Sequence, residues 1–209
     1  MAILLVTLVL LVLTSPLGDI AAEARLVLTV ATVGFLLSCL QQVDAHPRLR
    51  RPSHLLVLLW LLLNLPLSWT GTAWATSAAA ATLATLIAIV LWFVAGDIVE
   101  ADRVDAELLC GVIGAYLLLG VFWAETYALI GQFAPAAFAG PGGTTPDQSA
   151  LLYFSFTTLT TTGYGDITAI NPLVRMWTIF EAIIGTVYNA TVVARMVSLY
   201  GSNVRRDDQ

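Results

Sequence analysis

Thr160-Thr161-Thr162-Gly163-Tyr164-Gly165-Asp166 stands between two long apolar segments, and the reading of this stretch decides the rest of the chain. Glycine takes left-handed backbone conformations at little steric cost. A run with a glycine on each side of one tyrosine can therefore aim successive carbonyl oxygens toward a single axis instead of pairing them in a helix or sheet. Threonine at the start adds a hydroxyl oxygen to the same column. A stack of fixed, uncharged oxygens is what a dehydrated alkali cation needs in place of its water shell. Inside a bilayer, non-helical backbone is tolerated only where protein buries it or water reaches it. The run is thus expected to form a buried, pore-lining re-entrant loop.

With its threonine ladder, its aspartate and its hydrophobic flanks, the stretch resembles the filter of the potassium channel superfamily, a four-fold ring of Thr-Val-Gly-Tyr-Gly loops. The resemblance is to the prokaryotic-type pore module and covers roughly Leu108 to Tyr200, with Thr162 where valine is commonest. It implies K⁺ as the permeant ion, held by the carbonyl and hydroxyl of Thr161 and by the carbonyls of Thr162, Gly163 and Tyr164, with Gly165 shaping the outer mouth. It also implies a Tyr164 ring wedged against Tyr153 and Phe154, and Asp166 behind the filter. Some members pair that aspartate with a glutamate, whose position here is Thr157. Gly185 matches the family's gating-hinge glycine, although a glycine that eases helix packing reads equally well. Thr186, Asn189, Val193 and Val197 recur at helical spacing and would face the cavity below the filter, the two valines as an apolar constriction.

Composition agrees with a membrane setting. The 209 residues are 58% hydrophobic and only 11% charged, and mean hydropathy is +0.86, where soluble domains carry roughly 25% charged residues. All nine basic residues are arginines, and the net charge of −5 is spread over loops. Nothing supports nucleic-acid binding. Cys39 and Cys110 lie in apolar segments without metal-ligand spacing and read as packing residues. No nucleophile–base set supports an enzyme.

Six apolar segments are expected besides the loop: Ala2 to Leu17, about Ile20 to Val43, Leu55 to Trp69 with an interruption at Pro66, Thr72 to about Ala95, Leu108 to Ile130, and Pro172 to Tyr200. The first is short against the roughly 20 residues that span a bilayer. A cleaved signal peptide ending near Ala22-Glu23-Ala24 is the alternative, but no basic residue precedes the apolar run. The alanine-rich fourth segment should pack closely, since small residues let helices approach in lipid. Thr145-Pro146-Asp147-Gln148 has the form of a helix start, with Thr145 as cap and Gln148 completing a capping box. The helix from Pro146 to about Thr160 would aim its partly negative C-terminal end at the centre of the assembly.

Arginine bias sets orientation. With the N-terminus inside, Arg48, Arg50, Arg51, Arg103, Arg195, Arg205 and Arg206 are cytoplasmic and only Arg25 and Arg175 are outside. Trp69, Trp74, Trp123 and Trp177 then fall near the outer interface and Trp92 near the inner one. His46 and His54 fall in the basic inner loop. Glu125 sits near the outer end of the fifth segment, as a vestibule charge or an interfacial one. Glu181 is the one acid deep in an apolar helix and therefore a functional candidate. A bracing carboxyl, hydrogen-bonded to hydroxyls behind the pore helix, reads better than an ionic role.

The expected organisation is a four-helix peripheral domain over 1–96, a charged linker over 97–107 with the spacing of a short interfacial helix, a pore domain over 108–200 and a cytoplasmic tail over 201–209. The fourth segment carries no basic residue, so a charged voltage sensor is not expected. The few residues after Tyr200 suggest no ligand-binding domain. Control would then fall to the filter, lipid, tension or a regulatory subunit. The fold class is an all-α integral membrane protein, with six transmembrane helices plus a re-entrant pore helix and filter loop, assembled in the plasma membrane as a homotetrameric potassium channel. A weakly selective cation channel and a potassium-transporter subunit are the alternatives.

Overall fold

Apolar side chains recurring every three or four residues dominate the chain, and the computed structural model turns them into seven α-helices among the described residues, 1–15, 24–44, 53–62, 73–134 and 136–207. These are α1 (Ala2–Thr14), α2 (Ala24–Asp44), α3 (Ser53–Leu62), α4 (Ala73–Glu100), α5 (Ala106–Phe133), α6 (Gln148–Leu159) and α7 (Pro172–Asp207). Three of them are long and apolar enough to cross a membrane: α4 over Ser77–Glu100, α5, and α7 over Pro172–Leu199. The protein is a mostly helical membrane protein. Against the six spans expected, α1 and α3 are shorter, and α2 runs for 21 residues. The basic loop with His46, Arg48, Arg50 and Arg51, the Pro66 interruption, and the side chains of Arg25, Trp69 and Trp74 lie outside what the structure describes.

On α4, Leu83, Leu86, Ile87, Val90, Val94 and Ile98 form one buried stripe, the arrangement that a 3.6-residue period produces. The stripe packs with Leu4 and Leu8 of α1, Phe35, Leu36 and Cys39 of α2, and Leu108, Ala115, Leu118 and Val121 of α5. Thr7 donates to Ser38 at 3.1 Å across the α1–α2 seam. Cys39 and Cys110 are free thiols, Cys39 buried and Cys110 half-buried. A second core collects Trp123 and Tyr127 of α5, Phe138, Leu151, Phe154 and Leu159 around α6, and Ile167 and Val174 beyond it. Helix α5 therefore carries the peripheral helices on one side and α6 with α7 on the other.

The charged break differs from expectation. Helix α4 continues through Asp97 to Glu100, and only residues 101–105 separate it from α5. No interfacial helix forms between them, because Ile98 joins the buried stripe of α4 while Asp105 caps α5 by accepting from Leu108 N at 2.8 Å. At the other end of α5, Phe138–Ala139 (β1) pairs antiparallel with Thr168–Ala169 (β2), with Phe138 opposite Ala169. Ile170 N adds a bond to Ala137 O at 2.8 Å, so the chain entering α6 is tied to the chain leaving the 160–166 loop. Helix α7 then starts at Asn171-Pro172, with Asn171 Oδ1 accepting from Leu173 N at 2.9 Å, and stays helical through Asp207 instead of stopping at Tyr200.

Candidate functional site

Helix α6 presents the loop, and both its ends are built by local hydrogen bonding. The N-cap is Asp147, which accepts from Ala150 N at 2.8 Å. The expected capping box of Thr145 and Gln148 does not form. A carboxylate directly after Pro146 is the stronger cap, and Gln148 Nε2 instead donates to Glu125 Oε1 at 2.9 Å on α5. At the C-terminal end, Thr161 N bonds Thr158 O at 2.9 Å and Thr162 N bonds Thr157 O at 2.8 Å, with Thr161 at φ 58°. These are the two bonds and the left-handed residue of a Schellman motif, a place where glycine is usual. A β-branched residue there stores roughly 1–3 kcal/mol of backbone strain.

From that motif the loop alternates. Thr161, Gly163 and Gly165 have φ of 58°, 52° and 79°, and Thr162 and Tyr164 between them do not share the positive sign. Gly163 N also turns back to Thr157 O, at 3.0 Å. The amides of Thr160 to Gly163 are thus all spent on the last turn of α6. Among the described residues, the carbonyls of Thr161, Thr162, Gly163 and Tyr164 accept no backbone hydrogen bond. Alternation of left- and right-handed residues gathers amides on one side of a strand, which leaves the carbonyls on the other. All of Thr160 to Asp166 is exposed in the single chain.

Behind the loop, Tyr164 stacks on Tyr153 with ring centroids 6.3 Å apart and planes 3° from parallel. Desolvation and then the neighbouring Asp166 carboxylate, as acceptor and as charge, raise the Tyr153 phenol above its ordinary range. Phe154, expected beside Tyr164 as well, packs instead against Tyr127 and Phe138 at 5.5 Å each. It faces the second core because it lies one position further round α6 than Tyr153. Thr157 turns its hydroxyl to Phe154 O at 2.9 Å, so its link to the loop is its carbonyl. The Thr160 and Thr162 hydroxyls meet at 2.9 Å.

Glu181 is fully buried between three helices. Tyr127 on α5 donates to its Oε2 at 2.5 Å and Ser155 on α6 donates to its Oε1 at 2.6 Å. Ser155 Oγ also lies 2.8 Å from Gly120 O. The carboxyl therefore joins α5, α6 and α7 at the back of the short helix. One turn further on, Gly185 packs against the end of α6, where an added Cβ would run into the Leu159 carbonyl oxygen. Tyr116 donates to the same oxygen at 3.3 Å. Gly185 is thus a close-approach residue. Thr186, Asn189, Val193 and Val197 all lie on exposed surface of α7 in the single chain, with the Thr186 hydroxyl bonded to Ala182 O at 2.9 Å.

Residues 111–201 match a family model described as an ion channel. The match supports an ion channel. It begins inside α5, takes in α6, the loop and the Glu181 contacts, and ends near the close of α7. Helices α1 to α4 lie outside this ion channel segment, which is under half of the 209-residue chain. No curated protein matches the chain, and no solved structure does.

The site brings together Thr161 to Asp166 with Tyr153 and Thr157, and joins Glu181 and Gly185 to α6 from behind. Sequence reasoning missed Tyr127 and Ser155, the partners of Glu181. Several hydroxyls lie along both helices, so hydroxyl partners behind the pore helix were expected without these two being singled out. It also missed Arg195, which reaches the end of α4.

Proposed function

We propose that four copies of this chain surround an axis and pass K⁺ through a column of backbone oxygens contributed by Thr161, Thr162, Gly163 and Tyr164. The observation that carries this reading is the alternating loop, with its amides turned onto α6 and its carbonyls left unaccepted and exposed. One chain provides one strand of oxygens, and caging a dehydrated K⁺ takes several. Four convergent strands give each ion two layers of four carbonyls. Conduction is passive and needs no chemical step.

Lipid surrounds the assembly, with the loop outward and both termini cytoplasmic by the arginine count. Glu181, Tyr127 and Ser155 brace the short pore helix, and Tyr153 braces Tyr164 and Asp166. Asn189 and Thr186 line the cavity, with Val193 and Val197 below them. Helices α1 to α4 form a peripheral domain without sensor arginines, so the channel is not strongly voltage-gated. The filter, lipid, tension or a regulatory subunit would supply control.

The test is the reversal potential of the purified protein in liposomes or planar bilayers with K⁺ on one side and Na⁺ on the other. A selective channel reverses near the K⁺ equilibrium potential. Equal permeability favours the second reading, a weakly selective cation channel, which the threonine at 162 in place of valine motivates.

A further inference from the structure

Helix α7 is held along one stripe. Tyr188 donates to Val112 O on α5 at 2.6 Å, Arg195 reaches α4, and Leu199 is buried in the first core. Positions 188, 195 and 199 follow one another at helical spacing. The Arg195 contact is unlike the others. Its Nη2 donates to Val99 O at 2.9 Å and to Ala101 O at 2.8 Å. Carbonyls at a helix C-terminus have no intrahelical donor, and a cation is favoured there. The Arg195 Nε is buried and has no partner among the described residues. The guanidinium is therefore half-buried, with one exposed and one part-buried bond to the end of α4.

Val193 and Val197 lie two positions to either side of Arg195, and two positions on a helix are about 200° of rotation. Both valines are exposed. The same turn of α7 thus grips the peripheral helices with one face and presents apolar side chains on the opposite face.

We infer that Arg195 is a positioning residue through which helices α1 to α4 set the width of the Val193–Val197 constriction. This rests on the channel reading above, in which those valines face the axis. Apolar side chains from four copies attract one another across the axis and close it. The Arg195 bonds draw α7 toward α4, away from the axis, and oppose that closure. Helices α1 to α4 thereby act on the pore without a charged sensor, by anchoring the carbonyls at Val99 and Ala101.

Single-channel recording of R195A tests this. Open probability should fall about tenfold, the range of ordinary coupling between two sites, with unit conductance and K⁺/Na⁺ reversal potential unchanged. R195K keeps a cation and a donor at the helix end and should lie between R195A and the parent. Parental open probability in both variants overturns the inference, as does a change in unit conductance that tracks open probability. A second measurement does not depend on current. Spin labels at Glu100→Cys and Ser198→Cys, in a C39A/C110A background diluted with unlabelled chain, report the distance from α4 to α7. That distance should lengthen in R195A, and an unchanged distance overturns the inference even if the parent carries no current. A conducting parent with unchanged R195A spacing refutes the Arg195 inference alone, whereas a silent parent refutes the channel reading and takes the constriction role with it. If R195A does not assemble, R195K carries both measurements.

Discussion

Helices α4 and α7 are both long and apolar, yet the chain treats them in opposite ways. In the most apolar window of α4, 44% of residues are buried within the chain, as in α5, whereas in α7 only 11% are. Helix α4 has one stripe, and α2 and α5 cover it. Helix α7 carries Ile179, Ile183, Val187, Val193 and Val197 on exposed surface and sits beside a loop whose every residue is exposed. The buried stripe of α4 finds its partners inside one chain, whereas most of the apolar surface of α7 does not. Lipid can cover apolar side chains, but it cannot satisfy backbone carbonyls. On the proposed channel reading, further copies of the chain and ions along an axis would cover this exposed, unpaired loop.

The largest effect that could break this contrast is expected at the loop glycines. Gly163→Ala or Gly165→Ala puts a Cβ on a left-handed residue and turns a carbonyl out of line. K⁺ flux into liposomes should be lost while membrane insertion and the α1–α5 packing persist, and undiminished flux would defeat the assignment. Gly185→Ala comes next, because the added Cβ meets backbone at Leu159, which cannot swing aside. Overpacking of this kind costs about 1–3 kcal/mol, so the thermal midpoint in detergent should drop clearly. Unaltered stability with altered opening would make Gly185 a hinge instead.

Gly120→Ala sharpens the comparison on the other side of α6. Its Cβ would lie 2.5 Å from the Phe156 ring, a side chain that can rotate away, so about 1 kcal/mol is expected. The smallest effect should come from the carboxyl contacts. Tyr127→Phe removes the hydrogen bond to Glu181 Oε2 and Glu181→Gln turns one of the two acceptors into a donor, each touching one interhelical hydrogen bond, which averages roughly 0.6 kcal/mol in membranes. Both variants should conduct like the parent with a slightly lower thermal midpoint. A large change in unit conductance for Glu181→Gln would mean that the carboxyl acts on the ion.

The loop and its two flanking helices were legible because residue type dictates them locally. Glycine at 163 and 165 admits the left-handed backbone that other residues resist, and proline at 172 fixes φ at the start of a helix. The charged break was misread because the spacing of its apolar residues suggested a separate surface helix, while Ile98 belongs to the stripe of α4. Thr161 at positive φ could not be anticipated, since a β-branched residue argues against that conformation and only the Schellman bonds to Thr157 and Thr158 impose it. The partners of Glu181 were hidden by distance, Tyr127 being 54 positions away and Ser155 26. Hydrogen bonds of that span depend on how helices pack, which spacing within any one helix does not encode.

Native mass spectrometry of the assembly, released from detergent micelles, tests the central claim most directly. The account predicts a complex of four 22.4 kDa chains, since each loop supplies one of four strands of oxygen. A protein that conducts K⁺ as a monomer, dimer or trimer would contradict it.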